Sequence, residues 1–131
     1  MTSSRLDQLH TALAQAGLDA VMLNAGPTLI YLTGLHFYLS ERPVVLLVAQ
    51  NGAPVIVLPE LEMPKVGLFP YNVSAFPYGE NPSEWDAVFR KAVMSLELDG
   101  KKIGVDPRQL RLLEFQYVRN GAPEADFPDA S

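Results

Sequence analysis

Two stretches of the chain repeat apolar residues every three or four positions, the spacing that places side chains on one face of an α-helix. The first begins near the N-terminus, where Ser3 or Ser4 is suited to cap it, and its stripe consists of Leu6, Leu9, Leu13 and Ala16. The second covers residues 83–98, with Ser83 as the predicted N-cap. Its stripe predicts packing against a sheet and consists of Trp85, Val88, Phe89, Ala92, Val93 and Leu96.

Two continuous apolar runs, residues 44–48 and 55–58, predict strands that are covered on both faces. Asn51 and Gly52 lie between them, and this pair favours a tight hairpin turn because both residues tolerate a positive φ. The two strands are therefore predicted to be antiparallel neighbours. Shorter runs predict further strands at residues 20–23, 72–78, 102–105 and 124–127.

Proline and glycine positions predict the remaining helices, because proline is favoured in the first turn and glycine just past the end. These helices run from Pro27 through Tyr31, with Gly34 as the stop, and from Asp106-Pro107 to Asn120-Gly121. A brief helix is also predicted over residues 60–66, where Pro64 limits it to about one or two turns. Helices and strands thus alternate along the chain, with one hairpin in the middle. The pattern predicts one α/β domain over residues 1–131, in three layers, with a mixed, mostly central β-sheet flanked by helices on both faces.

Charge and composition narrow the function classes. Acidic residues outnumber basic ones 15 to 10, for a net charge of -5, which argues against nucleic-acid binding. The chain has no cysteine, so disulfides, thiolate catalysis and cysteine-based metal sites are excluded. No apolar run approaches the ~20 residues of a membrane span, and no apolar signal core follows the N-terminus, so we expect a cytoplasmic protein.

Motifs that carry chemistry are missing from the sequence. It contains no glycine-rich phosphate loop and no H-E-x-x-H. The two histidines, His10 and His36, lack a second ligand at metal-site spacing. The sequence therefore predicts no catalytic residue, no metal ligand and no cofactor site in this chain.

The connection before the apolar run at 44–48 combines aromatic residues, a histidine and a Glu-Arg pair. Loops that carry aromatic side chains and arginine are favoured contact surfaces. An arginine here could pair with a substrate carboxylate, and Glu41 could hold it in place. Alternatively, Tyr31 and Phe37 belong to the core and the Glu-Arg pair is solvated or lies at a subunit interface. The candidate substrate-rim or interface residues are His36, Phe37, Tyr38, Glu41 and Arg42.

Short motifs run along nearly the whole chain in a characteristic order. They are Arg5-Leu6, Gly17-Leu18-Asp19-Ala20, Tyr31-Leu32-Thr33-Gly34, Ser40-Glu41-Arg42-Pro43, Leu58-Pro59-Glu60-Leu61-Glu62 and Lys102-Ile103-Gly104-Val105-Asp106. In this order and spacing they resemble the N-terminal domain of the creatinase and prolidase family. The family comprises the pita-bread metallopeptidases, among them Xaa-Pro dipeptidase and Xaa-Pro aminopeptidase (aminopeptidase P).

The resemblance implies a non-catalytic N-terminal domain of a Xaa-Pro peptidase. In that family two Asp, one His and two Glu hold two metal ions in a second, C-terminal domain, which we expect to be absent from this chain. The parent protein would hold Mn, Co or Zn there. The resemblance also implies three kinds of partner: the chain's own catalytic domain, further copies in a homodimer or higher homo-oligomer, and short proline-containing peptides. Residues 36–42 would contribute to the rim of an active site.

Two other functions remain open on the sequence. The first is the N-terminal domain of a creatinase-type amidinohydrolase, which hydrolyses a small guanidino compound without metal. The second is a free-standing α/β module that binds a ligand or a partner. A set of two Asp, one His and two Glu ligands downstream of this domain would indicate the peptidase.

Overall fold

The computed structural model describes residues 5–37 and 42–130. The α-helices are α1 (Arg5–Ala16), α2 (Pro27–Thr33), α3 (Trp85–Ser95) and α4 (Leu112–Gly121). The strands are β1 (Ala20–Asn24), β2 (Val45–Ala49), β3 (Val55–Pro59), β4 (Ser74–Tyr78) and β5 (Ile103–Gly104). Two 3₁₀ helices, Glu60–Leu68 and Pro82–Glu84, follow β3 and precede α3. Ser3 and Ser4, proposed as caps of α1, lie outside the described residues.

Within the described residues, five strands form one mixed sheet in the order β4-β3-β2-β1-β5. The central pairs, β1 with β2 and β2 with β3, are antiparallel, whereas β1 with β5 and β3 with β4 are parallel. The antiparallel pairing of the two apolar runs is thus confirmed. Their connection is wider than a tight turn, because β2 and β3 pair only as far as Leu47 and Val55. On its other side β2 pairs with β1 along its whole length, from Val45 to Ala49.

Both faces of the sheet are covered, so the predicted three-layer α/β architecture is confirmed. Alternate β2 residues point to opposite faces, since Val45 and Leu47 join a cluster with α3 and α4, while Leu46 and Val48 join one with α1 and α2. Phe89 is 0% exposed and packs with Trp85 in the first cluster. The predicted apolar stripe of this helix therefore faces the sheet.

Helix α3 begins at Trp85, two residues later than predicted. Ser83 is not its N-cap, because Pro82–Glu84 forms a separate 3₁₀ turn. The cap of that turn is Asn81, whose Oδ1 accepts hydrogen bonds from the backbone N–H of Ser83 at 3.1 Å and from its hydroxyl at 2.8 Å. The sequence rule found the right kind of cap at the wrong residue, since Asn and Ser are both good caps.

The last helix also begins later than predicted, at Leu112 instead of Pro107. Asp106 and Pro107 open a turn, in which the N–H groups of Gln109 and Leu110 both donate to the Asp106 carbonyl. The turn does not grow into a helix here because contacts with the end of β1 hold Gln109. The predicted strand at 124–127 is reduced to one isolated bridge, Lys102 with Asp126, and a second bridge, Val105 with Asp129, follows just beyond it.

Candidate functional site

One edge of the sheet gathers most of the loops that carry polar side chains. Strands β1, β3, β4 and β5 run in the same direction, because β1 and β3 are each antiparallel to β2 and the outer strands are parallel to them. Their carboxyl ends therefore meet at one edge, where β2 begins. Of the candidate residues, His36, Phe37 and Arg42 are described, and they lie at this carboxyl edge, with Arg42 shortly before β2.

His36 and Phe37 occupy different environments at this edge. The side chain of His36 is exposed, and its backbone carbonyl accepts a hydrogen bond from Lys65 Nζ at 2.6 Å. Phe37 is only 6% exposed and belongs to the cluster on the α1 and α2 face. Lys65 Nζ lies 4.9 Å from the centre of its ring. Phe37 thus packs as a core residue, and its position suits support of the segment better than contact with a ligand.

Tyr38 and Glu41 lie outside the described residues. Arg42 is half-exposed, and its Nη2 lies 2.6 Å from Oε2 of Glu80, in the loop after β4. This ion pair joins residues that are distant in sequence, so the sequence analysis, which considered only the adjacent Glu41, missed Glu80. Short-range patterns cannot reveal such a partner.

Two buried aromatic side chains fix the backbone on either side of the Arg42–Glu80 pair. The Tyr78 hydroxyl donates to the Pro43 carbonyl at 2.7 Å, and the Trp85 indole N–H donates to the Gly79 carbonyl at 2.9 Å. Burial raises the pKa of Tyr78 well above its usual value, so its hydroxyl remains a donor at neutral pH. The residues next to Arg42 and Glu80 are therefore held in place.

A second polar group at the carboxyl edge connects β1 with the turn after β5. Asn24 Nδ2 donates to the Gln109 carbonyl at 3.0 Å, and Thr28 Oγ1 lies 3.4 Å from Gln109 Oε1. Gln109 Nε2 in turn donates to Asp106 Oδ2 at 3.2 Å. The sequence analysis missed Gln109, although Asp106 appears both in a quoted motif and as a predicted cap.

The Asp106 carboxylate also accepts from the Arg108 side chain, at 3.1 Å from Nε and 3.2 Å from Nη2. These side-chain bonds, together with one from the backbone N–H of Arg108, hold the pKa of Asp106 below its usual range. Asp106 reciprocally raises the pKa of Arg108. The turn therefore carries a fixed guanidinium next to the end of β1.

The shift at Asp106 predicts a pH-dependent contribution to stability. A carboxyl group whose pKa is lowered by folding stabilises the protein above its unfolded pKa, near 3.8, and loses that effect as pH falls through the folded value. We expect Asp106→Asn to lower the melting temperature at pH 7 and to converge with the wild type under strongly acidic conditions. Asp86→Asn, which disturbs another Asp–Arg pair, should keep the Asp106 pH dependence. A constant gap between wild type and Asp106→Asn at all pH values would contradict this.

An open groove with a cavity volume of about 670 Å³ lies beside this turn. One side is formed by the start of α2, including Pro27, Ile30 and Tyr31. The others are formed by His36 and Phe37 and by the turn after β5. The polar side chains that line it are His36, Arg108 and Gln109.

A buried ion pair lies at the start of α4. Arg111 Nε is 3.1 Å from both carboxylate oxygens of Glu114, and Arg111 Nη2 also donates to Glu114 Oε2. Glu114 is 0% exposed, so the pair brings a carboxylate into the core. The sequence analysis did not predict it, because a glutamate in the first turn of a helix is ordinarily a surface residue.

In residues 5–37 and 42–130, no group of three or more His, Asp or Glu side chains could hold a metal ion. The described residues thus do not provide a two-metal site. No helix in the same ranges is long and apolar enough to cross a membrane.

Comparison with known proteins gives the family directly. The model of the Creatinase/Prolidase N-terminal domain matches residues 5–131, nearly the whole chain. The chain belongs to this family. The resemblance drawn from the sequence motifs is therefore confirmed, and this creatinase/prolidase N-terminal domain has the fold of its relatives.

The similar proteins differ in how much chain they add to this domain. YkvY of Bacillus subtilis (strain 168), provisionally named a dipeptidase, is 21% identical over 127 residues, covering 97% of this chain but 35% of that protein. The crystal structure of a dipeptidase from Pyrococcus horikoshii OT3 superposes with a TM-score of 0.81 at 24% identity, covering 97% of this chain and 34% of that one. The chain thus spans about a third of these relatives.

The domain has also been solved by itself. The Creatinase/Prolidase N-terminal domain of an X-Pro dipeptidase from Streptococcus pyogenes superposes with a TM-score of 0.78 at 25% identity. That match covers 96% of this chain and 92% of the solved one. A domain of this family has therefore been crystallised without the rest of its protein.

Proposed function

We propose that this chain is the N-terminal domain of a Xaa-Pro peptidase, of the prolidase or aminopeptidase P kind. The observation that carries the proposal is the family match over residues 5–131, together with the length of the relatives, of which the chain spans about a third. The hydrolytic site, with two divalent ions such as Mn, Co or Zn, would lie in a separate catalytic domain.

Within the parent protein, we assign the carboxyl edge to the rim of an active site. Arg42 supports this role because it is half-exposed there and is oriented by Glu80 at 2.6 Å. An arginine held in this way can offer two parallel N–H groups to a carboxylate, which a lysine cannot. His36 is exposed at the same edge, and Phe37 packs beneath it.

The second part of the proposal is that this domain contributes to a homodimer or higher homo-oligomer. Arginine is enriched at protein interfaces as well as at carboxylate sites. Arg42 can therefore act on substrate, on a neighbouring subunit, or on both, and the two roles have different consequences for kinetics and assembly.

The decisive experiment substitutes Arg42 in the full-length protein. Loss of a charge-assisted bond to a substrate carboxylate should raise KM for a Xaa-Pro dipeptide, or lower kcat/KM, by about 10- to 100-fold in Arg42→Ala. Arg42→Lys should recover only part of the loss. Sedimentation should show the oligomer unchanged. The matched control is Arg90→Ala, which removes another ion-paired arginine, on α3.

Two results would change the assignment. Dissociation of the oligomer with a parallel fall in activity would make Arg42 an interface residue and not a substrate contact. Unchanged kinetics and unchanged assembly would remove Arg42 from the function altogether. Activity towards a guanidino substrate instead of Xaa-Pro peptides would replace the peptidase with the creatinase-type reaction.

A further inference from the structure

The groove beside the Asp106 turn lies at a point where the chain leaves two neighbouring strands in opposite directions. Strands β1 and β5 are parallel neighbours. After β1, helix α2 packs on one face of the sheet, where Leu29 and Leu32 join Val21 and Leu23. After β5, helix α4 packs on the other face, where Val118 joins the opposite cluster. Such a switch point, outside the carboxyl ends of the strands, is where open α/β sheets bind ligands.

The lining of the groove combines an apolar wall with polar side chains, one of which is an arginine. Ile30 and Tyr31 provide the wall, and Tyr31 is 55% exposed although it is a large aromatic residue. Arg108 and His36 contribute to the polar side, and the described residues that line the groove include no Asp or Glu. Asp106 pairs with Nε and Nη2 of Arg108, and the exposed guanidinium keeps further N–H donors that favour a carboxylate ligand.

The cationic group is fixed before any ligand arrives. Asp106 does not line the groove, but it bonds Arg108 through Nε and Nη2 and so orients a guanidinium that is 74% exposed. Tyr31 is also braced, because the Arg5 guanidinium lies 4.3 Å from the centre of its ring. A preorganised site loses less conformational entropy on binding than a flexible one.

We propose that this groove binds a small apolar carboxylate. The carboxylate would pair with Arg108, and the apolar body would lie against Ile30 and Tyr31. The cavity volume of about 670 Å³ is within the usual range for small-molecule sites, roughly 300–1,000 Å³. The groove lies at the edge assigned above to the active-site rim and shares His36 with it, but the binding proposed here is formed by residues of this domain and is tested without the peptidase activity of the parent.

The test uses the isolated 131-residue chain, because a domain of this family has been solved by itself. The probe is 3-phenylpropionate, titrated into isotope-labelled protein and followed by NMR. We expect saturable shifts centred on Gly26, Ile30, Tyr31 and Arg108. The neutral 3-phenylpropionamide should bind about tenfold more weakly, because it lacks the carboxylate that pairs with Arg108. Acetate should also bind about tenfold more weakly, because it lacks the apolar body that packs against Ile30 and Tyr31.

Matched variants assign the interaction to the groove. Arg108→Gln should weaken 3-phenylpropionate binding by about tenfold while leaving the amide unaffected. Arg90→Gln, at another exposed arginine paired with an aspartate, should change neither. Tyr31→Ala should weaken both probes.

Three outcomes would overturn the proposal. The first is equal binding of the carboxylate and the amide. The second is undiminished binding by Arg108→Gln, or shifts that map elsewhere on the domain. The third is binding by the isolated chain but not by the full-length protein, which would make the groove a contact between domains.

Discussion

Replacement of Phe89 by alanine is expected to lower the free energy of unfolding by about 3–5 kcal/mol. Phe89 is 0% exposed, and its ring stacks on Tyr117 with the ring centres 4.8 Å apart and the planes at 18°. On its other side Tyr78 lies 6.5 Å away. Alanine would remove these contacts and leave a cavity between α3, α4 and the sheet. Because small domains are marginally stable, this is a large part of the total.

Urea denaturation with tryptophan fluorescence measures the effect, since Trp85 packs in the same cluster. Met94→Ala is the matched control, because Met94 lies on the same helix but is 64% exposed. Its cost should stay within about 0.5 kcal/mol, as for an ordinary surface position. Equal destabilisation by both variants would mean that α3 does not present its stripe to the sheet as described.

Replacement of Arg111 by methionine is expected to cost a similar amount, about 3–5 kcal/mol, because it leaves the buried Glu114 carboxylate without its partner. The double variant Arg111→Met with Glu114→Leu should recover most of this loss, because an apolar pair has no buried charge to compensate. The coupling energy from the double-mutant cycle is the quantity to measure.

Arg108→Met is the control for this cycle. Arg108 also pairs with a carboxylate, that of Asp106, but it is largely exposed, so the change should cost no more than about 1 kcal/mol. A small effect of Arg111→Met, comparable to that of Arg108→Met, would show that Glu114 finds another partner or reaches water.

The parts of the fold that follow from local periodicity could be predicted from the sequence. The stripe of α3 and the runs that form β2 and β3 were identified because each element carries its own burial pattern. Helix starts were less certain. At Pro107, a cap followed by proline predicts a helix start, but only a turn forms there, and the Gln109 carbonyl accepts a hydrogen bond from the distant Asn24.

The candidate site was predictable only in part, for a related reason. The segment before β2 was found because its composition is unusual, and Arg42 does lie at the carboxyl edge of the sheet. Its partner Glu80 and the supporting Tyr78 could not be found, since the sheet order brings β4 and the start of β2 to the same edge only after folding. Polar side chains that come together only through the tertiary fold have no characteristic spacing in the sequence by which they could be recognised.

The parallel pairing of β1 with β5 also determines when the domain can complete its fold during translation. Ala20 pairs with Ile103, and Lys102 and Val105 pair in turn with Asp126 and Asp129. A nascent chain can form the β2–β3 hairpin early, but β1 keeps an open side until almost the whole domain has left the ribosome. Contacts of such long sequence separation slow folding, because the entropy cost of closing the long loop is incurred before the stabilising contacts form. The domain is therefore expected to complete its sheet late in translation and to present the apolar flank of β1 to chaperones until then.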